Sequence, residues 1–245
     1  MLGLMDADVK VLGMLESDST AEKVIETRSD RRKRRNRRAL IEAAYHVMSQ
    51  KGIDAATMSE IAEIADVGAG TAYNYFSSKD ELAICVIEEV MHRLALRIEA
   101  VTETFSDPGQ VYAFGIRNVM KAATTDHRWR SLLKRSEVMA GAMYRVMGPY
   151  AIRDLRNAVA AGRYSVEHPE LAWRLATHAI VGFSLAVCEG ELDPAAIDEA
   201  VVDLLGMVGV ERKEAWEIAL RPCPELPGEN RNSGVSRGRK VRASR

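Results

Sequence analysis

The sequence predicts an all-α fold, and three observations carry the prediction. Ala, Leu, Met, Glu and Arg, which lose little freedom in a helix, are abundant in a 245-residue chain that holds only 17 Gly and 7 Pro. Apolar residues recur at three- and four-residue spacing along most of the chain, and no segment alternates convincingly with the two-residue period of a half-buried strand. Glycine and proline fall largely between the periodic segments, as at Gly52, Asp107-Pro108-Gly109, Gly162, His168-Pro169 and Asp193-Pro194. Apolar residues at 47% supply a core, and charged residues at 28% supply a solvated surface.

Residues 1–27 show no clean period and carry two Lys against six Asp and Glu, so a poorly ordered extension is expected there. RSDRRKRRNRR follows at 28–38, with eight Arg and Lys against one Asp. Extension and basic arm together are assigned to 1–34. The first strong helix is expected over 36–51, where Leu40, Ala43, Ala44, Val47 and Met48 form one apolar stripe and Gly52 ends it. Thr57 with Glu60 three residues on reads as a capping box opening a short helix that ends near Asp66. Asp66-Val67-Gly68 turns into another short helix at 69–76. Ser77 or Ser78 then caps a long helix reaching about Thr104, with Asp80 and Glu81 in the first turn, where acids suit the helix dipole. Further helices are expected near 110–124, 127–140, 142–162, 168–190, 195–208 and 211–220, with a break at Gly141 and a kink or split at Pro149. Residues 222–245, rich in Pro, Gly, Ser and Arg, read as a disordered basic tail.

Two short helices joined by a tight turn, after a basic segment and a support helix, spell a helix-turn-helix over 57–76. In such a unit the second helix enters the major groove, and its first residues meet base edges. That places Ala69, Gly70, Thr71, Tyr73 and Asn74 forward, Ala69 toward a thymine methyl and Asn74 toward a base or phosphate. Thr71, Tyr73 and Tyr75 offer hydroxyls for phosphates, and Lys79 adds a charge. Thr57 sits at a helix N-terminus, where amide donors favour an anion. The basic run, including Arg37 and Arg38, would track the backbone or enter a minor groove. Phe76 reads as core.

Residues of about 35–82 resemble the TetR family of bacterial transcriptional regulators. The resemblance rests on Ala43-Ala44, Gly52, Thr57, Ile61-Ala62, Val67, Gly70-Thr71, Tyr73, Tyr75-Phe76 and Ser78-Lys79-Asp80-Glu81-Leu82. It departs at Gly68, where the family often has Ser, and at Ala72, where a larger apolar residue is usual. The resemblance implies an all-helical homodimer with a three-helix DNA-binding domain at 35–82. It implies a helical regulatory, ligand-binding and dimerisation domain at 83–221. In such proteins the last two long helices of each subunit build the dimer bundle, and ligand moves the helix that connects the domains. Most members are repressors and a minority activators. By region, Arg117 and Trp129 are pocket candidates. Met139 and Met143 would line an adaptable apolar cavity, or else fill helix core. His178 reads as a cap, surface group or satisfied core residue, or else faces a pocket or the partner subunit.

Other function classes find little support. HExxH and GxxxxGK[ST] are absent, and the GAG at 68–70 does not continue as GxGxxG, so an enzyme is not expected. Cys85, Cys188 and Cys223 lie far apart with no CxxC pair, and the histidines lack metal-ligand spacing, so neither metal nor cofactor is expected. No apolar run is expected to reach membrane-spanning length. The reading is a cytoplasmic regulator, most simply a repressor, that binds double-stranded operator DNA and a largely apolar effector. The alternative is a helical ligand carrier or interaction protein without specific DNA binding.

Overall fold

The computed structural model describes residues 27–126, 129 and 132–228; the acidic segment 1–26 and the tail 229–245 lie outside the described residues. The helices are α1 (Arg28–Lys51), α2 (Met58–Ile64), α3 (Ala69–Tyr75), α4 (Lys79–Thr102), α5 (Pro108–Thr125), α6 (Ser136–Ala160), α7 (Pro169–Glu189), α8 (Ile197–Gly206) and α9 (Arg212–Ala219). A 3-10 turn at Pro194–Ala196 leads into α8. Among the described residues there is no strand. α1 to α3 form a small head, α5 to α9 form the body, and α4 packs on α1 at one end and on α5 and α6 at the other. One continuous apolar core runs through both parts.

Three helices differ from the expectation. α1 begins at Arg28 rather than 36, because Thr27 and Asp30 form a capping box. The Asp30 amide donates to the Thr27 hydroxyl at 3.1 Å, and the Thr27 amide donates to the Asp30 carboxylate at 3.2 Å. The basic run is therefore the first turns of a helix and not an arm before it. α6 continues through Gly141 and Pro149 as one 25-residue helix. Buried Met139, Met143, Met147 and Leu155 anchor it, and that packing outweighs a cost of about 1 kcal/mol for Gly and about 3 kcal/mol for Pro in a helix interior. α7 does reach the length and composition of a membrane span, with a mean hydropathy of 1.5. Its Trp173, Ala176, Ile180 and Val181 are buried against α5 and α6, while Leu171 and Leu175 stay exposed, so core packing accounts for part of that hydropathy.

The chain after α9 also departs from the expected tail. Residues 222–228 lie back over the body: Leu226 packs on the core, and the Arg97 Nε of α4 donates to the Pro227 carbonyl at 2.7 Å.

Asp107 ties the body together. It caps α5 by accepting from the Gly109 amide at 2.9 Å, and it pairs with Arg163 at 3.1 Å and Arg221 at 2.5 Å. Burial pushes this carboxyl up, but the hydrogen bonds from Arg221, the Gly109 amide and Arg163 outweigh burial and hold it below the ordinary carboxylate value. The group thus contributes stability above the ordinary carboxylate pKa and loses it as pH falls below. Asp107→Ala is expected to lower stability by about 2 kcal/mol, the loss of a cap and of charge-assisted bonds. Urea unfolding at pH 7 measures this, and the gap between wild type and variant should narrow toward pH 3.

Candidate nucleic-acid interface and inner cavity

The two short helices are held by their turn. Ala65 ends α2, and Asp66 takes a left-handed conformation at φ 54°. The Val67 amide then donates to the Ala62 carbonyl at 3.0 Å and the Asp66 amide to Glu63 at 3.1 Å, the bond pair of a Schellman motif. Asp in place of Gly is tolerated because its short polar side chain suits that region. Ile61, Ala62 and Ala72 are buried where α2 meets α3. Gly68 opens α3 without a side-chain cap.

Burial of Ala72 and Phe76 turns the other side of α3 outward. Ala69, Gly70, Thr71, Tyr73 and Asn74 are exposed, and Tyr73 is 56% exposed despite its size. Tyr75 is half-buried and packs on the core. Thr57 is exposed and accepts from the Glu60 amide at 3.3 Å. The reciprocal half of that capping box is not made, because the Glu60 carboxylate pairs with Lys51 of α1. Lys79 donates to the Asp54 carbonyl at 2.7 Å, so one of its three donors buttresses the α1–α2 loop. The Arg37 guanidinium lies 5.3 Å over the Phe76 ring and donates to Cys85 Sγ at 3.3 Å, which seats it behind α3. Arg38 is exposed on α1. The eight cations of 28–38 are all exposed in the N-terminal part of α1, where the helix dipole already disfavours positive charge. A polyanion relieves both the dipole and the mutual repulsion.

None of the five residues singled out for a pocket lines the inner cavity. Arg117 pairs with Asp198 at 2.7 Å and donates to the Ala219 carbonyl, pinning α5 to α8 and α9. Met139 and Met143 are fully buried core. His178 is exposed, with Nδ1 2.9 Å from the Arg174 carbonyl. Trp129 is buried at the end of an open, polar cleft of about 570 Å³ between α4, α5 and residues 224–228. A smaller, apolar and partly open cavity of about 40 Å³ lies between α4, α5, α6 and α7. Ile98, Tyr112, Met147, Tyr150 and Trp173 form its walls, with Glu99 and Asp154 at its polar edge. Long-range packing creates it, and no local sequence signal marks these residues. Among the described residues no group of three His, Cys, Asp or Glu is placed to hold a metal.

Three arginines of the α6 region pair along the chain between cavity and head. Arg153 meets Glu99 at 2.8 Å, Arg145 meets Glu88 at 2.8 Å, and Arg135 meets Asp54 at 2.6 Å and Asp80 at 3.8 Å. The first two acids and Asp80 belong to α4; Asp54 is in the α1–α2 loop beside Lys79.

Two family models match the chain. Residues 40–85 match the bacterial regulatory proteins of the tetR family, and residues 107–221 match the tetracyclin repressor-like C-terminal domain. The chain belongs to the TetR family. Among curated TetR-type relatives, the transcriptional regulator BetI of Rhizobium meliloti is 43% identical over 58 residues, 24% of this chain and 29% of that protein. The transcriptional repressor KstR of Mycolicibacterium smegmatis is 27% identical over 109 residues, 44% of this chain and 53% of that protein. The chain thus spans about half or less of these two relatives. The crystal structure of RolR in complex with resorcinol superposes with a TM-score of 0.73 at 28% identity, covering 80% of this chain and 99% of that one. Residues 222–228 lie beyond the matched C-terminal domain.

Proposed function

We propose that this TetR-family chain is a homodimeric transcriptional regulator, a repressor that holds operator DNA through α3 and releases it when a small molecule enters the inner cavity. The observation that carries the reading is the outward face of α3, where Tyr73 stands 56% exposed beside exposed Thr71 and Asn74 and below a helix start bearing eight exposed cations. An exposed tyrosine amid small residues contributes nothing to the core and fits a groove. Base edges would meet Ala69, Gly70 and Asn74. Phosphates would meet Thr57, Thr71, Tyr73, the remaining donors of Lys79 and the arginines of α1. Tyr75 and Arg37 act chiefly by seating α3.

Two half-sites about 34 Å apart call for two reading heads. The surface that supports a dimer lies on α7, where Leu171, Leu175, His178, Ala179 and Gly182 are exposed on one helical stripe, with Leu171 at 55% and Leu175 at 51%. The operator target places the protein in the cytoplasm. The resorcinol complex of RolR supports a small, largely apolar effector. Release follows if the effector binds the wrongly spaced conformation more tightly. A hundredfold loss of operator affinity needs about 2.7 kcal/mol of that preference.

The test is binding of the full chain to DNA upstream of its own gene, titrated over salt against a scrambled duplex. Specific binding that falls roughly a thousandfold or more between 50 and 200 mM salt is expected for six or more phosphate contacts. No binding to either duplex at low salt would put the helical carrier forward. Tyr73→Ala is expected to lower operator affinity about tenfold with an unchanged unfolding midpoint. Lys79→Ala should lower both, since its amino group also holds the Asp54 carbonyl. Wild-type affinity in both variants at matched salt would remove this face from the interface.

A further inference from the structure

Residues 222–228, beyond the matched C-terminal domain, cross from α5 to α4. At the α5 end, Asn118 is buried and its Nδ2 donates to Cys223 Sγ at 3.6 Å. At the α4 end, Leu226 packs on the core and Arg97 Nε donates to the Pro227 carbonyl at 2.7 Å. Pro222, Pro224 and Pro227 fix three φ angles of this short segment, so it is stiff enough to span rather than coil. Between these ends it is lightly held. No amide of 223–228 donates to a backbone carbonyl among the described residues. Pro224, Glu225, Pro227 and Gly228 are exposed, and the open cleft of about 570 Å³ remains beneath them. A segment with so few buried contacts opens more readily than the helices it crosses.

The place of the crossing gives it a consequence. The same stretches of α4 and α5 wall the inner cavity from another face, through Ala95 and Ile98 on α4 and Ile116 and Val119 on α5. At about 40 Å³ that cavity holds a few waters at most, so a larger molecule enters only as its walls part. A strap fastened to Asn118 and Arg97 resists the parting of α4 from α5. We infer that residues 222–228 are a releasable strap that clasps α4 to α5 and so holds the reading head in its operator-binding position. This rests on the inner cavity being the effector site. Without the clasp, α4 spends a smaller fraction of its time in the operator-competent arrangement, and apparent operator affinity falls in proportion.

The test compares the full chain with Leu226→Asp, Arg97→Gln and the double variant, each checked by thermal melting. Hydrogen exchange over 90–102 of α4 and 116–125 of α5 reads the clasp, and operator affinity at one salt concentration reads its effect. Each single variant is expected to exchange at least threefold faster there and to bind operator at least threefold more weakly, with binding to a scrambled duplex unchanged. A strap is released only once, so the double variant should match the stronger single. Unchanged exchange in both singles overturns the inference. So does faster exchange with wild-type operator affinity, or a double variant whose losses multiply. Should Arg97→Gln fail to fold, Leu226→Asp alone decides, since its side chain is only half-buried at the end of the described chain. A wild-type chain that binds no operator refutes the regulator reading and this inference with it. Wild-type operator affinity in the variants of a chain that does bind operator removes the strap alone.

Discussion

The rest of the structure depends on α4 being a single helix. Its 24 residues, at about 1.5 Å each, span about 36 Å from Lys79 beside the reading head to Thr102 beyond the cavity. Leu82, Ala83, Val86 and Ile87 are buried in its first half, and Leu94, Ala95 and Ile98 are buried toward its far end, so both parts of the molecule close on one rod. Two caps fix where that rod begins. The Ser78 hydroxyl accepts from the Glu81 amide at 3.1 Å, and the Glu81 carboxylate accepts from the Ser77 amide at 2.7 Å, which holds that carboxyl below its ordinary value. A displacement of α4 at Glu99 has no flexible joint in which to dissipate before it reaches Lys79.

The ion pairs between the α6 region and the head side suit a switch better than a brace. Arg145 and Arg153 are about half exposed, and Arg135 is 40% exposed, so each pair contributes at most about 1 kcal/mol. Apolar packing of α6 on α4 carries the stability. The sum of the pairs, a few kcal/mol at most, lies in the range of the usual coupling between allosteric sites. Arg153 stands where this ladder meets the cavity: the guanidinium that holds Glu99 of α4 also holds Asp154 at the cavity edge.

The reading head was legible in the sequence because its determinants are local. Thr57, the Asp66 turn, Gly68 and Ser78 each act within four residues, and the helix limits they imply agree with the structure to within two residues or so. The start of α1 was equally local, yet the Thr27–Asp30 box was hidden by the charge run that follows it. Gly141 and Pro149 misled for the opposite reason: both are genuine helix breakers, and contacts far along the chain overrule them. The cavity was not legible at all. Tyr112, Tyr150, Asp154 and Trp173 have ordinary local surroundings and become a site only when α4 to α7 close. The methionine stripe divides in the same way, Met139 and Met143 into core and Met147 onto the cavity wall. Arg117, chosen by region, spends its charge on Asp198.

The central claim is that cavity and reading head are two ends of one coupled element, and linkage tests it most directly. Resorcinol affinity would be measured on the free protein and on the protein saturated with its operator duplex, at one salt concentration. The account predicts weaker resorcinol binding in the operator complex, by the same factor as resorcinol weakens operator binding. Equal resorcinol affinity in the two states would contradict it, since a ligand that does not distinguish the two conformations shifts neither.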